Sequence, residues 1–341
     1  MGNVVTSPDD FQFPESACRI VVISPTSGED CIADLSFLPR NARILAIGSS
    51  VEELEKDGIL YTEANVLLNL RGNADSLQRV IKQLPYLEWV HSVTAGIDHL
   101  VCPELINDGI ILTNAKGIFS SSLAEYVMGA CCYFAKDFPR LMKQREEKKW
   151  SQYCVTELRG KTMGIVGYGD IGRACAKLAK AYGMQVIGLR KNTQLSANDE
   201  LLDWIVGPDR LSEVMRESDY LVVACALTKD TRGMLNKKAF AECKLGQILI
   251  NISRGPVINE DDLVEALTDG SLAGAALDVF CTEPLPLESK IWELENVLLS
   301  PHNADMTSDF RHKSVQFFCE NCSRFIAGMP LQNVVSAVEG Y

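Results

Sequence analysis

Three loops of this 341-residue chain carry side chains of the types that move protons and hold anions. Asn251-Ile252 leads into Ser253-Arg254-Gly255. Leu277-Asp278-Val279-Phe280 leads into Cys281-Thr282-Glu283-Pro284, and Leu298-Leu299-Ser300 into Pro301-His302. A carboxylate beside an imidazole fixes its tautomer and favours its protonated form, and Glu283 can do this for His302. Protonated His302 can donate to a carbonyl oxygen as a hydride reaches the carbonyl carbon. In reverse, neutral His302 takes the proton of a hydroxyl. Arg254, always charged, can bind a substrate carboxylate and polarise the carbonyl beside it. Taken singly, each residue has a bland reading: a structural histidine, a surface arginine, a solvated glutamate. The strength of the set lies in three such groups at successive strand ends.

A second constellation would hold what supplies the hydride. Gly164-Ile165-Val166-Gly167-Tyr168-Gly169-Asp170-Ile171-Gly172 places G-x-G-x-x-G directly after an apolar run and before an amphipathic stretch. Gly167 permits the tight turn, Gly169 lets the backbone approach a pyrophosphate, and Gly172 lets the helix lie close on the strand. The helix N-terminus then offers N–H groups and partial positive charge to phosphates. At the end of the next strand an NAD site usually carries an acidic residue for the ribose 2′-OH. Here the sequence is Gly188-Leu189-Arg190-Lys191, with no carboxylate until Asp199. Arg190 and Lys191 would attract a 2′-phosphate, which favours NADP(H) over NAD(H). The alternative is that both side chains are simply solvated.

The elements that must position these groups alternate along the chain. Short apolar, β-branched runs predict strands at 19–24, 43–47, 65–68, 87–91 and 110–113, with helices such as 51–57 and 74–84 between them. That pattern argues a parallel sheet covered on both faces. Residues 120–147 predict one long helix, with Ser120, Ser121 and Ser122 as capping oxygens, Glu125 completing a capping box, and Pro139 kinking or splitting it. A second series follows, with strands at 162–166, 185–189, 220–224, 247–252, 274–279 and 296–300. Helices fall near 171–182, 209–217, 236–243 and 259–269, and a last one over 306–328. Six strands with such crossovers describe a doubly wound, Rossmann-type sheet. Ligands bind beyond the carboxyl ends of strands in such sheets, so all three reactive loops should share an edge with the glycine turn.

Composition sets the outer bounds. The length suggests about two domains. Hydrophobic residues make up 47% and charged residues 23%, the balance of a soluble globular protein. Lys and Arg total 33 against 45 Asp and Glu, a net charge of -12 that disfavours nucleic acid and anionic membrane. No apolar run reaches the length of a membrane helix. The start, Met1-Gly2-Asn3-Val4-Val5-Thr6, has no basic, apolar secretory pattern. It fits the short N-myristoylation pattern, which also matches by chance. Without export, the twelve cysteines are expected as free thiols in the cytoplasm. Cys319 and Cys322 form a CxxC that reads as helix packing, and no metal site is expected.

The residues from about Val93 to Thr307 resemble the D-isomer-specific 2-hydroxyacid dehydrogenases. The resemblance is carried by Val93-Thr94-Ala95-Gly96-Ile97-Asp98, Leu123-Ala124-Glu125-Tyr126-Val127, the glycine turn, Asn251-Ile252-Ser253-Arg254-Gly255, Ala276-Leu277-Asp278-Val279-Phe280 through Glu283-Pro284, and Ser300-Pro301-His302. It implies two Rossmann-like domains with a hinge cleft: a flavodoxin-like substrate domain (1–119 and 305–341) and a dinucleotide-binding domain (120–304). It implies Arg254, Glu283 and His302 as the catalytic set. Backbone N–H groups around Ala95 and Gly96 would bind the substrate carboxylate together with Arg254 and His302. Cofactor contacts would come from Gly167, Tyr168, Gly169, Asp170, Ile171, Gly172, Arg190, Lys191, Ile252, Arg254, Asp278 and His302, with Asp278 accepting from the nicotinamide amide. Homodimers built on the 120–147 helix are usual in such proteins.

The basic pair at 190 and 191 is similar to the glyoxylate/hydroxypyruvate reductase branches, whose substrates are small 2-oxo acids. In some of these a Trp in the region of Trp150 reaches the neighbouring subunit, although a buried packing role is the simpler expectation. One departure concerns substrate preference: Asn303-Ala304-Asp305 stands where a small, apolar continuation is more usual. A rival class is a dinucleotide-sensing, co-repressor-like binding protein of the same fold with marginal turnover.

Overall fold

The computed structural model describes residues 18–24, 35–57, 59–70, 74–107 and 109–339. The N-terminal acylation pattern lies outside them. The chain divides into two units, Met1–Ile118 with Ser308–Tyr341, and Phe119–Thr307.

Among its described residues the first unit is built on five parallel strands: β1 (Cys18–Ile23), β2 (Ala42–Gly48), β3 (Val66–Asn69), β4 (Trp89–Ser92) and β5 (Ile111–Thr113). Their order, β2-β1-β3-β4-β5, is that of a flavodoxin-like sheet. Side chains alternate faces along β1. Val21 and Ile23 pack among Leu77, Val80 and Ile81 of the helix Ala74–Ile81. Ile20 and Val22 pack with Trp89 and with Val315, Phe318, Cys319 and Cys322 of the helix Phe310–Ile326. Cys319 and Cys322 are thus core residues beside Cys18.

The second unit carries seven parallel strands among its described residues: β6 (Thr162–Val166), β7 (Gln185–Leu189), β8 (Trp204–Val206), β9 (Tyr220–Val223), β10 (Ile248–Asn251), β11 (Gly274–Leu277) and β12 (Val297–Leu299). The order β12-β11-β10-β9-β6-β7-β8 reverses direction between β6 and β9, the switch point of a doubly wound sheet. The helices that matter to the site are α1 (Ser120–Ala135), α2 (Phe138–Glu146), α3 (Asp170–Ala181) and α4 (Glu260–Thr268). Val166, Leu221, Leu249 and Ala275 pack with Val214, Leu263 and Leu267 in one core.

Three expectations are corrected, and the break expected near Pro139 is placed at Asp137. A seventh strand, β8, escapes a pattern search because it has only three residues. The stretch 120–147 is two helices, broken where Asp137 adopts φ 51°, and Pro139 sits in the first turn of the second helix, where its missing N–H costs nothing. The capping box does not form. Phe119 is the N-cap without a side-chain bond, Ser120 donates to Asp170 and Ser122 to the Ala304 carbonyl at 2.6 Å. Trp150 is 98% exposed rather than buried. No helix among the described residues is long and apolar enough to cross a membrane.

Candidate active site

The glycine turn leaves β6 at Val166. Gly167 has φ 98°, and a Cβ there would lie 2.4 Å from the Cys225 nitrogen, so glycine alone fits. A Cβ on Gly169 would meet nothing within 4 Å, which leaves that backbone open to close approach. A Cβ on Gly172 would lie 2.7 Å from the Gly167 oxygen, so the helix rests directly on the turn. Gly169 caps α3 without a side chain, and Asp170 and Ile171 form the first helical positions. These features fit a dinucleotide pyrophosphate: an open glycine, a helix N-terminus and no side chain in the way.

Beyond β7, Arg190 donates from Nη1 to Ser196 Oγ at 2.8 Å, and Lys191 lies 3.7 Å from the exposed Asp230. Asp199 is committed elsewhere. It accepts from Tyr168 Oη at 3.1 Å and from Arg173 Nε at 2.7 Å. Tyr168 is 1% exposed, its ring packs against Gly188, and its backbone N–H donates to the Leu189 carbonyl at 2.9 Å. Burial, then the charge of Asp199, pushes its phenol well above the usual range.

The three reactive loops follow β10, β11 and β12, which pair in that order and run parallel, so the loops leave the same edge. Ile252, 5% exposed, directly follows β10. The Asn251 side chain folds the next turn by accepting from Ser253 N–H at 3.1 Å and donating to the Arg254 carbonyl at 3.3 Å. Arg254 Nη1 donates to the Ser253 carbonyl at 2.8 Å. Gly255 allows this turn to meet the next loop, since a Cβ there would lie 1.9 Å from the Phe280 carbonyl carbon.

That second loop folds back on itself. Phe280 N–H donates to Glu283 Oε1 at 2.9 Å, and Glu283 Oε2 lies 2.7 Å from His302 Nδ1. The hydrogen bond to Glu283 raises the His302 pKa above its usual value, against the opposing effect of burial. Burial would raise the Glu283 carboxyl, but the bonds from His302 and the Phe280 N–H leave it below the usual range. Arg254 contributes charge to both groups.

His302 itself has φ 55°, a left-handed backbone uncommon outside glycine. Buried Asp278 holds it there. Its Oδ1 accepts from Ser300 Oγ at 2.5 Å, Asn303 N–H at 3.0 Å and Ala304 N–H at 3.1 Å. Sequence reasoning placed Asp278 on the cofactor. In the structure this oxygen anchors the histidine loop. Asn251 and Gly255 shape this loop beyond their place in the motif, and a glycine directly after a reactive arginine is a usable sequence signal for close backbone approach.

The second unit therefore holds Arg254, Glu283, His302 and every residue expected at the cofactor. The first unit carries Ala95 and Gly96, on the loop after β4. The Ala95 carbonyl accepts from Asn114 Nδ2 at 2.5 Å, and the Gly96 carbonyl from Thr94 Oγ1 at 2.8 Å.

A doubly wound sheet with an open glycine turn, and an imidazole–carboxylate pair beside an arginine on the same edge, define a nicotinamide-dependent oxidoreductase. Residues 128–304 match the family model described as the NAD binding domain of D-isomer specific 2-hydroxyacid dehydrogenases. The chain is 31% identical over 282 residues to a glyoxylate/hydroxypyruvate reductase A of Arabidopsis thaliana, covering 81% of this chain and 88% of that one. It is 30% identical over 298 residues to a D-3-phosphoglycerate dehydrogenase of Methanocaldococcus jannaschii, covering 86% of this chain but only 55% of that longer protein. The crystal structure of an NADPH-dependent glyoxylate/hydroxypyruvate reductase from Sinorhizobium meliloti, in complex with NADP and sulfate, superposes with TM-score 0.80. Its identity is 27%, covering 95% of this chain and 99% of that one. The chain belongs to the D-isomer specific 2-hydroxyacid dehydrogenase family.

Proposed function

We propose that this protein is an NADP(H)-preferring reductase of small 2-oxo acids, with glyoxylate and hydroxypyruvate as its substrates. The observation that carries the reading is the 2.7 Å His302–Glu283 pair, one close-packed loop away from Arg254. The bound nicotinamide would supply the hydride. Glu283 holds His302 through Nδ1 and favours its protonated state, which leaves Nε2–H to donate to the substrate's carbonyl oxygen. Arg254 binds the substrate carboxylate and polarises the adjacent carbonyl. Backbone N–H groups around Ala95 and Gly96 would also bind a substrate carboxylate.

Preference for NADP(H) is supported by Arg190 and Lys191 after β7 and by the engagement of Asp199 with Tyr168 and Arg173. The NADP bound in the Sinorhizobium relative is in keeping with it. Ile252 and the second oxygen of Asp278 would flank the nicotinamide. A homodimer is supported by the exposed Phe138, Leu141, Met142 and Trp150 on and after α2, apolar surface that a second copy would cover.

The test is oxidation of NADPH and of NADH by glyoxylate, hydroxypyruvate, pyruvate and a bulky aromatic 2-oxo acid, with wild type and Arg190→Ala. The expected result is turnover of the small acids with NADPH preferred, and a loss in Arg190→Ala of about tenfold in kcat/KM for NADPH but not NADH. A preference for NADH that Arg190→Ala leaves unchanged overturns the cofactor reading. No oxidation across the panel overturns the enzyme reading in favour of a dinucleotide-sensing binding protein.

A further inference from the structure

Asp305 lies three residues beyond His302, where the family resemblance leads one to expect a small, apolar residue. Its backbone is fixed from both sides. The preceding Asn303 and Ala304 N–H groups are bound to Asp278, and the Ala304 carbonyl accepts from Ser122 Oγ at 2.6 Å. Met306 N–H donates to the Asn303 carbonyl at 3.0 Å, and Thr307 N–H to the Asp305 carbonyl at 2.8 Å. A turn tied at this many points holds its side chain near one place.

The carboxylate is half-buried and within electrostatic range of His302, Asp278 and Arg254. Among the described residues, no side chain gives it a hydrogen bond or an ion pair. Burial, joined by the negative charge of Asp278, holds its carboxyl above the usual range despite the opposing charges of His302 and Arg254. An acid in that position adds nothing evident to the fold, while its charge reaches two of the three groups assigned to the reaction.

We propose that Asp305 is a specificity-determining residue: its carboxylate favours 2-oxo acids whose third carbon carries a neutral or cationic hydrogen-bond donor, and rejects those that carry a second anion there. The inference rests on the functional reading above. With the substrate carboxylate on Arg254 and its carbonyl oxygen at His302, the substituent on the third carbon is the one part of a small 2-oxo acid left to be read. A hydroxyl there can donate to Asp305. A carboxylate or phosphate there meets a like charge, and such pairs discriminate between ligands.

The test compares wild type, Asp305→Asn and Asp305→Ser on hydroxypyruvate, which carries a hydroxyl donor, and oxaloacetate, which carries a second anion. Glyoxylate has no third carbon. Each kcat/KM is divided by that for glyoxylate in the same variant, which removes any general loss. The expected result is that the ratio for oxaloacetate rises on the order of tenfold or more in both variants, mainly through KM, while that for hydroxypyruvate falls. Ratios that stay at the wild-type values, or that move in the same direction for both acids, overturn the assignment of Asp305 and leave the functional reading intact. Wild-type protein that reduces none of the three acids overturns both.

Discussion

The hydrogen bond to Glu283 raises the proton affinity of His302. Because the hydrogen bond to Glu283 raises its pKa, reduction of a 2-oxo acid should be fast below that raised pKa and fall as pH rises through it. Glu283→Gln removes the charge that favours the imidazolium, so the falling limb should move to lower pH. Reductive kcat/KM on the alkaline side should drop on the order of tenfold or more, and a pH–rate profile of wild type and variant measures this directly. An unshifted limb would mean that Glu283 does not set the proton affinity of His302. These groups were visible in the sequence because arginine, glutamate and histidine at strand ends are uncommon and chemically specific. Asp305 was visible only as a departure from pattern. Its proximity to His302 depends on how a turn is tied by Asp278 and Ser122, which no spacing encodes.

The loops that carry these groups depend on close packing at one glycine. Gly255→Ala would drive a methyl into the Phe280–Cys281 peptide, so the Arg254 and Glu283 loops must separate. In this variant kcat/KM should fall by at least about 10²-fold from displaced Arg254, with dinucleotide binding by the glycine turn largely kept. Fluorescence titration with NADPH beside steady-state kinetics checks both halves, and near-normal turnover would contradict this role for the glycine.

In the first unit, His91 on β4 is fully buried, with Nδ1 2.7 Å from Thr113 Oγ1 and its ring against Phe318. Burial pushes its pKa down to about 3. The imidazole is neutral when folded but takes a proton when unfolded, so the stability it contributes is present above about pH 6.5 and is lost as pH falls toward 3. Wild type should lose about 3 kcal/mol more than His91→Gln between neutral pH and pH 4, measured by denaturant unfolding. Equal losses would contradict the buried, neutral state. Strand and helix positions in both units were largely legible from runs of β-branched residues. β8 was not, because a three-residue edge strand has too short a pattern; Pro139 signalled a break in the 120–147 helix, but not its place at a left-handed Asp137.

At the scale of the molecule, the two sheets do different work. The second unit carries the glycine turn, the His302–Glu283 pair and Arg254 on one sheet. The first unit carries the Ala95–Gly96 loop after β4. The alternation of strands and helices, with a glycine turn starting the second series, made the doubly wound sheet readable from the chain alone. The pairing of Glu283 with His302 follows from β11 and β12 being neighbours, which the pattern implied but could not measure. The central claim is that His302 delivers the proton as a 2-oxo acid is reduced. The most direct measurement is NADPH oxidation by hydroxypyruvate in wild type and His302→Ala, alongside NADPH affinity for each. The expected result is a loss of about 10²- to 10⁴-fold in turnover with cofactor affinity retained. Wild-type rates in the variant would contradict it.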